Sequence, residues 1–230
     1  DCRGRDGAAG ANGRGVSGDA GGALRDAAAR LTATSDSARL DAELLLAHAA
    51  GISREELILQ LHRLDVPGSF PALVERRLAG EPVAYITGTR DFWTLTLAVT
   101  PAVLTPRPDS ETLIEAAVDH FGAAGPKRIL DLGTGSGALL LAALDEWRGA
   151  SGVGVDISGD ALAVAQGNAA RLGMDDRATF RLSNWAEEIS ERFDLILANP
   201  PYISTTALLS RDVLAHEPHL ALFAGEDGLD

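Results

Sequence analysis

The chain has 230 residues, of which 46% are hydrophobic, and its formal net charge at pH 7 is -13. This size and apolar fraction are enough for a medium-sized domain with a smaller companion. The acidic balance disfavours a large nucleic-acid footprint, because proteins that track phosphates usually present a basic patch. A single cysteine, Cys2, excludes a disulfide framework and a cysteine metal cluster.

The sequence also disfavours several other classes of protein. No stretch has the length and apolar character of a membrane span, and the first residues lack the apolar core of a secretory signal. We therefore expect a cytoplasmic protein with no membrane partner. The histidines lie at positions 48, 62, 120, 216 and 219 without the spacing of a metal site, so we expect no metal.

The N-terminal part of the chain predicts a tail followed by a helical domain. Residues 1–22 are rich in Gly, Ala and Asp and predict a disordered tail, because such a composition cannot build a core. Helical periodicity covers residues 23–86, where Gly51 is placed to end one helix. Ser53 and Glu56 have the spacing of a capping box, which predicts that the next helix begins there.

The rest of the chain predicts a linker and an α/β domain. Aromatic and β-branched residues separated by turn residues predict a β-hairpin linker over residues 87–108. Helix, strand, glycine turn, helix and further strands follow over residues 109–230. This alternation is typical of a parallel sheet with helices on both faces, so we expect a Rossmann-like α/β fold.

A glycine-rich turn joins the first predicted parallel strand to the next helix. It consists of Gly133, Thr134, Gly135, Ser136 and Gly137. Glycines at such a turn let the backbone approach a ligand closely, although they also serve a tight turn without any ligand. Asp156 ends the next strand, where a carboxylate can accept hydrogen bonds from ribose hydroxyls. The pattern predicts a nucleoside-containing cofactor, and S-adenosylmethionine fits it better than NAD or ATP.

Two further side chains are candidates for the same cofactor, and each has a structural alternative. Asp131, at the end of a strand, either faces the cofactor amino group or caps the following turn, and we weigh these equally. Trp185 follows the third parallel strand. Its ring either covers an adenine ring, which we favour, or packs at the rim of the sheet.

A second motif follows the fourth predicted strand. It consists of Asn199, Pro200, Pro201 and Tyr202. The prolines end the strand and restrain the backbone. The Asn199 side-chain oxygen and the Pro200 carbonyl can accept both hydrogens of a planar NH2 group, with Tyr202 as a wall over it. We place Asn199 at the cofactor as well. The alternative is a proline-terminated strand with an asparagine turn and a tyrosine packed at the rim.

Together these motifs resemble the HemK/PrmC protein-(glutamine-N5) methyltransferases, which methylate a glutamine of class-1 peptide-chain release factors. The likeness is carried by "LDAELLLAHAAGISREEL", "RRLAGEPVAYITG", "VLTPRPDSETLIE", "ILDLGTGSGALLLA" and "NPPYI". The resemblance implies S-adenosylmethionine as the cofactor, held by residues 133–137, Asp156 and Trp185. It places residues 199–202 at the substrate glutamine. It also implies a monomer whose partner is a release factor with a Gly-Gly-Gln motif.

Two alternatives to this function stay open from the sequence. Asn-Pro-Pro-Tyr is shared with adenine amino-methyltransferases on nucleic acid, but the linker motif over residues 106–111 resembles the release-factor enzymes. We expect Arg107 in that motif to pair with a nearby acid. The second alternative is an inactive fragment that binds a release factor. For Glu217 and His216, a role near the substrate competes with packing or surface duty, which we favour.

The sequence departs from the family pattern in two places. Thr94 stands where the family usually has glycine, which puts the local turn in question. The chain ends at Asp230, whereas the family continues with further strands, so we expect a C-terminally truncated protein with an incomplete sheet. An exposed sheet edge and marginal stability follow from that expectation.

Overall fold

The structure, a computed structural model, describes residues 19–207 and 211–228. The chain divides between Ala79 and Gly80 into two compact units. The predicted tail lies outside the described residues up to position 18. Within the described ranges, no helix combines the length and apolar character needed to cross a membrane.

The first unit is helical, as the sequence predicts. Its helices are α1 (Ala20–Leu31), α2 (Ala38–Ala50), α3 (Arg54–Gln60) and α4 (Phe70–Leu78). Helix α1 begins at Ala20, which corrects the predicted start at residue 23. The Asp19 side chain accepts a hydrogen bond from the backbone N–H of Gly21 and caps the helix, so residues 20–22 are helical.

The predicted stop and start signals of the first unit are confirmed. Gly51 ends α2 in the left-handed conformation with φ 69°. At the start of α3, Ser53 Oγ accepts from the Glu56 N–H at 3.1 Å, and Glu56 Oε2 accepts from the Ser53 N–H at 2.9 Å. Local hydrogen bonding therefore sets both helix ends, which is why the sequence alone could locate them.

The second unit contains the hairpin and the parallel sheet. Its helices are α5 (Val83–Thr87), α6 (Glu111–Phe121), α7 (Ala138–Glu146), α8 (Gly159–Arg171) and α9 (Arg211–His216). Its strands are β1 (Thr89–Phe92), β2 (Leu95–Ala98), β3 (Arg128–Leu132), β4 (Ser151–Asp156), β5 (Ala178–Leu182) and β6 (Leu195–Ala198). Short 3-10 helices cover Pro108–Ser110, Gly122–Ala124 and His219–Ala221.

The main sheet consists of parallel strands in the order β5-β4-β3-β6 within the described part of the chain. Asp131 on β3 lies opposite Gly154 on β4 and Leu197 on β6, so the strands end at a common edge. Helix α7 packs against β3 and β4 and buries Leu140 and Leu141 completely. This arrangement confirms the predicted Rossmann-like α/β fold.

The hairpin of β1 and β2 packs into the core of the second unit. Phe92 and Leu97 are fully buried in the same apolar cluster as Ile114 of α6 and Ile129 of β3. The hairpin and α5 both belong to this unit, whereas the sequence assigned them to a linker and to the helical domain. Apolar contacts with distant segments decide this membership, and a local pattern does not reveal them.

The hairpin turn accommodates Thr94, the residue at which the sequence put the local turn in question. Trp93, rather than Thr94, takes the left-handed conformation, with φ 56°. Thr94 Oγ1 donates a hydrogen bond to Asp145 Oδ2 at 2.6 Å, and the Trp93 N–H donates to Glu111 Oε1 at 2.9 Å. The hairpin turn is therefore fastened to α6 and α7 by side-chain acceptors.

Candidate functional site

A cavity of about 300 Å³ opens beside the carboxyl ends of the parallel strands. This is the edge at which open α/β sheets bind ligands. The predicted site residues that line the cavity are Gly133, Thr134, Gly135, Ser136, Asp156, Trp185, Asn199, Pro200 and Pro201. The fold thus brings the glycine turn and the Asn-Pro-Pro segment to one cavity, although they are far apart in sequence.

The glycine turn has a backbone that side chains would strain. Gly133 and Gly135 have φ values of 70° and 55°, and open space surrounds the position that a Cβ would occupy. Backbone conformation, and not crowding, therefore requires glycine at these two positions. At Gly137 crowding adds to a φ of 82°, because a Cβ would lie 3.1 Å from Leu141 Cδ1 and 3.3 Å from Ala165 Cβ.

Asp156 supports the glycine turn as well as lining the cavity. Its Oδ2 accepts a hydrogen bond from the Gly135 N–H at 2.9 Å, and its Oδ1 accepts one from the Ser158 N–H at 2.9 Å. A carboxylate oxygen has a second lone pair, so both oxygens can still accept from ribose hydroxyls. The residue predicted to bind the cofactor therefore also orients the turn that would surround it.

Asp131 makes the turn contact that one of its two predicted roles requires, and its role at the cofactor amino group stays a prediction. It is 1% exposed, and its Oδ2 accepts a hydrogen bond from Thr134 Oγ1 at 2.6 Å, which ties it to the turn. Its Oδ1 has no hydrogen-bond partner within the described residues, although Asp131 lines the cavity. Burial raises the pKa of this carboxyl to about 7, and the nearby charge of Asp156 adds to the rise.

These features fit S-adenosylmethionine. A buried carboxyl oxygen without a partner suits the amino group of the cofactor, and Asp156 suits its ribose hydroxyls. Trp185 lines the cavity and is 45% exposed, so its side chain is accessible for stacking. In the ranges that the structure describes, no group of three or more His, Cys, Asp and Glu side chains could hold a metal ion.

Trp185 holds an unusual backbone conformation at the cavity rim. Its φ is 51°, in the left-handed region that costs a non-glycine residue about 1–3 kcal/mol. Ser183 Oγ donates a hydrogen bond to the Trp185 carbonyl at 2.9 Å and helps to hold this conformation. The exposed ring supports the predicted stacking role more than simple packing at the rim.

Asn199 is oriented by a residue from a distant segment. Strand β6 ends at Ala198, and the Asn199 side chain follows it at the cavity wall. Its Nδ2 donates a hydrogen bond to Ser110 Oγ at 3.0 Å, in the 3-10 helix Pro108–Ser110. With the nitrogen engaged in this way, Oδ1 is the acceptor that Asn199 can offer to a substrate.

Arg107 and Glu217 form an ion pair beside this segment, which confirms that Arg107 pairs with a nearby acid. Arg107 Nη2 donates to both carboxylate oxygens of Glu217, at 2.8 and 2.6 Å. The Glu217 side chain is 2% exposed, whereas that of Arg107 is 46% exposed. Burial raises the pKa of Glu217, while the Arg107 charge opposes the rise. The pair connects two stretches that both contribute to the cavity wall, through Arg107 and Pro218.

The structure does not bring Tyr202 or Gly137 to the cavity wall with the other predicted residues. Tyr202 is 72% exposed, so its predicted role as a wall over the substrate group stays a prediction. The chain after it is held by backbone bonds instead. The Ile203 N–H donates to the Leu222 carbonyl at 3.1 Å, and the Ala224 N–H donates to the Ile203 carbonyl at 3.0 Å.

Comparison with known proteins agrees with the site geometry. Residues 22–88 match the PrmC N-terminal domain, and residues 125–226 match a methyltransferase domain. The chain is 46% identical over 217 residues to the release factor glutamine methyltransferase of Bradyrhizobium diazoefficiens, covering 90% of this chain and 73% of that protein. The chain belongs to the release factor glutamine methyltransferase family. This confirms the resemblance that the motifs indicated.

A second release factor glutamine methyltransferase, from Cereibacter sphaeroides, is 46% identical over 214 residues, covering 90% of this chain and 76% of that protein. Among solved structures, the chain is similar to a 16S rRNA N2 G1207 methyltransferase of T. Thermophilus in complex with AdoMet and guanosine. That likeness has a TM-score of 0.45 and 28% identity, and it covers 56% of this chain and 36% of that chain.

Sequence reasoning missed two residues that shape this family member's site. Ser110, which accepts a hydrogen bond from Asn199 Nδ2, was assigned only to a structural linker motif. Asn168 is fully buried in α8, where its Nδ2 donates to the carbonyls of Ser136 and Ala98 at 2.9 and 3.0 Å. Its Oδ1 accepts from the Ala98 N–H at 2.8 Å, so Asn168 joins the glycine turn to β2. A polar residue on the apolar face of α8 was the available signal.

Proposed function

We infer that this protein transfers a methyl group from S-adenosylmethionine to the side-chain amide nitrogen of the glutamine in the Gly-Gly-Gln motif of class-1 peptide-chain release factors. Its family membership supports this reaction and this class of substrate. The observation that carries the site assignment is the oriented amide of Asn199 on the wall of the cavity that the glycine turn also lines. We expect a cytoplasmic monomer that does not bind nucleic acid directly.

The cofactor is assigned to the side of the cavity formed by the glycine turn. S-adenosylmethionine supplies an electrophilic methyl group carried on a sulfonium sulfur. The second lone pairs of the Asp156 oxygens accept from its ribose hydroxyls, and Asp131 Oδ1 accepts from its amino group. Trp185 offers an exposed aromatic face for the adenine. Asn199 borders both ligands, because it lines the same cavity.

The Asn-Pro-Pro segment is assigned to the glutamine that accepts the methyl group. An amide nitrogen is a poor nucleophile because its lone pair is delocalised over the carbonyl. Asn199 Oδ1 and the Pro200 carbonyl accept its two hydrogens and so hold the nitrogen in a single orientation. Positioning of this kind can supply about 7–11 kcal/mol.

The same two acceptors also act on the charge that develops during transfer. As the bond from the glutamine nitrogen to the methyl carbon forms, the bond from that carbon to sulfur breaks and sulfur keeps both electrons as a neutral thioether. Positive charge builds on the nitrogen, and both its hydrogens become stronger donors. Asn199 Oδ1 and the Pro200 carbonyl therefore stabilise the transition state more than the ground state. The methylated nitrogen loses one proton to solvent after the transfer, so no strong base has to remove it beforehand.

Mass spectrometry of a release factor incubated with the protein and S-adenosylmethionine tests this function. We expect one added methyl group on the glutamine of the Gly-Gly-Gln motif. Asn199→Ala should reduce the rate by about 10²- to 10³-fold, because it removes one of the two acceptors.

An adenine-containing oligonucleotide in a parallel reaction separates the competing functions. A methyl group on the oligonucleotide would show an adenine amino-methyltransferase and overturn the proposal. Binding of the release factor without transfer to either substrate would show a binding protein without this activity. An unchanged rate in Asn199→Ala would leave the reaction in place but refute the site assignment.

A further inference from the structure

The hydrogen bond between Ser110 and Asn199 links two motifs that lie 89 positions apart in the sequence. Asn199 follows β6, at one edge of the described sheet, and Ser110 ends the 3-10 helix that leads into α6. Both residues line the cavity. The contact is therefore part of the wall that faces the substrates, and it is not a surface hydrogen bond between neighbouring residues.

Ser110 is itself held in place by the chain around it. The Ser110 N–H donates a hydrogen bond to the Arg107 carbonyl at 3.1 Å, within the short helix. The Arg107 side chain is held by the buried carboxylate of Glu217 through two contacts. This series of bonds gives the Ser110 hydroxyl a defined position from which it can orient the Asn199 amide.

The orientation of the Asn199 amide decides which group the cavity presents. An asparagine amide has nearly the same shape after a half-turn about its last torsion, but the half-turn exchanges an acceptor for a donor. With Nδ2 on Ser110, the acceptor Oδ1 is offered to a substrate NH2 group. With the amide turned, the Ser110 hydroxyl would donate to Oδ1, and the Asn199 N–H groups would face the two N–H groups of that substrate, so the bond to the substrate would be lost.

We propose that Ser110 is a positioning residue, which fixes the Asn199 amide so that Oδ1 faces the group that receives the methyl and carries two N–H hydrogens. This inference rests on the proposed function and adds a determinant of its specificity. Ser110 acts through Asn199 and does not touch the reacting atoms. In the orientation that the structure shows, the Ser110 hydroxyl accepts from Nδ2, and Oδ1 is left to accept from a primary amide.

A spectroscopic test does not depend on the reaction. Labelling with ¹⁵N-asparagine gives four side-chain amides, at positions 12, 168, 184 and 199, and the Asn199→Ala spectrum assigns the last. In the wild-type protein we expect one Asn199 Nδ2 proton to exchange slowly with solvent. Ser110→Ala should speed that exchange about fivefold, which corresponds to the loss of a hydrogen bond with a net value of about 1 kcal/mol. Unchanged exchange would overturn the proposal.

Kinetics supply the second measurement. Ser110→Ala should lower kcat about fivefold with a smaller change in KM, and Ser110→Thr, which keeps the hydroxyl, should restore both kcat and the slow exchange. In an Asn199→Ala background, Ser110→Ala should have no further effect, because the two residues act as one unit. Additive losses in the double variant would refute an action through Asn199.

Ser190→Ala is the matched control, because Ser190 is exposed and does not line the cavity. We expect wild-type rates and spectra for it. If the wild-type protein methylates no release factor, the proposed function fails, and the exchange measurement still decides whether Ser110 orients Asn199. If the wild type is active and Ser110→Ala matches it in rate and exchange, this inference alone fails.

Discussion

The two sides of the cavity are built in different ways. On the cofactor side, the glycine turn comes from consecutive residues after β3, and its shape is set by positive φ values at Gly133 and Gly135. On the acceptor side, which is assigned to the glutamine, Asn199 is hydrogen-bonded to Ser110. The segment that carries Ser110 is held by the ion pair of Arg107 with Glu217. The cofactor side is shaped by backbone conformation within a short stretch and supported there by the side chains of Asp156 and Asn168. The acceptor side depends mainly on side-chain bonds between distant stretches.

This difference separates two kinds of sensitivity to mutation. The cofactor side contains the buried carboxyl of Asp131 and glycines with positive φ, so the cost of charge and the cost of backbone strain dominate there. The acceptor side is held by a few polar contacts, each of which can be removed without changing the local backbone. Substitutions on the two sides should therefore differ in the property they change, as well as in the size of the effect.

The largest expected effect concerns the buried carboxyl of Asp131 on the cofactor side. Its folded-state pKa is about 7 against an ordinary value of 3.8, so the folded protein keeps a proton that the unfolded chain releases. Stability from this group is complete below about pH 4 and is lost as the pH rises through about 7. The loss should be a few kcal/mol in the free energy of unfolding, measured by urea denaturation across this range.

Asp131→Asn provides the comparison that isolates this group. The variant should lack this part of the pH dependence, so its stability relative to wild type should increase from pH 4.5 to pH 7.5. Other titrating groups are common to both proteins and cancel in the difference. Parallel stability profiles for the two proteins would contradict a raised pKa at Asp131.

The second prediction concerns the ion pair on the acceptor side. Arg107→Ala leaves the buried carboxylate of Glu217 without its partner and should cost about 2 kcal/mol in the free energy of unfolding. Glu217→Gln should cost less, because the Arg107 side chain is half-exposed and its charge can be solvated. Urea denaturation of both variants at pH 7.5 measures the order.

The pH dependence of the Arg107→Ala variant adds a further check. Protonation removes the uncompensated charge of Glu217, so the deficit relative to wild type should shrink as the pH falls. Equal losses in Arg107→Ala and Glu217→Gln would show that the exposed and buried partners contribute alike. That result would contradict the difference in stability cost that the unequal burial of the two side chains predicts.

The smallest expected effect is the strain from a single methyl group in the glycine turn. Gly135→Ala places a Cβ at φ 55°, with no crowding, and should cost about 1 kcal/mol in stability. Cofactor affinity, measured by calorimetry, should fall about fivefold because the Gly135 N–H bond to Asp156 is distorted. Gly149→Ala is the control, since that site is also open and its φ lies outside the left-handed region. Equal effects in both variants would contradict the role of backbone conformation.

How far the fold and site could be predicted depends on whether the interactions are local. The capping box of Ser53 and Glu56, the turn at Gly51 and the glycine turn all lie within a few residues of chain, and each was located from sequence. Membership of the hairpin in the second unit could not be predicted from sequence, because Phe92 and Leu97 meet their apolar neighbours only after folding.

The same distinction between local and distant interactions decides which site residues could be predicted. Sequence singled out Asp156, Trp185 and the Asn-Pro-Pro segment, because glycine, acidic and proline residues at strand ends have local causes. It did not reveal Asn168, whose partners lie on β2 and in the glycine turn, nor the hydrogen bond of Asn199 to Ser110. These outcomes depend on which distant segments meet.

The sequence by itself determined the helices, the parallel α/β fold, the cofactor class and the family, because periodicity, caps and turn residues act over short stretches of chain. Only the tertiary structure decided that Ser110 holds Asn199, that Glu217 holds Arg107 and that Asp131 keeps an oxygen without a partner in the described part of the chain. Hydrogen bonding and desolvation depend on position in space, and the folded chain alone sets that.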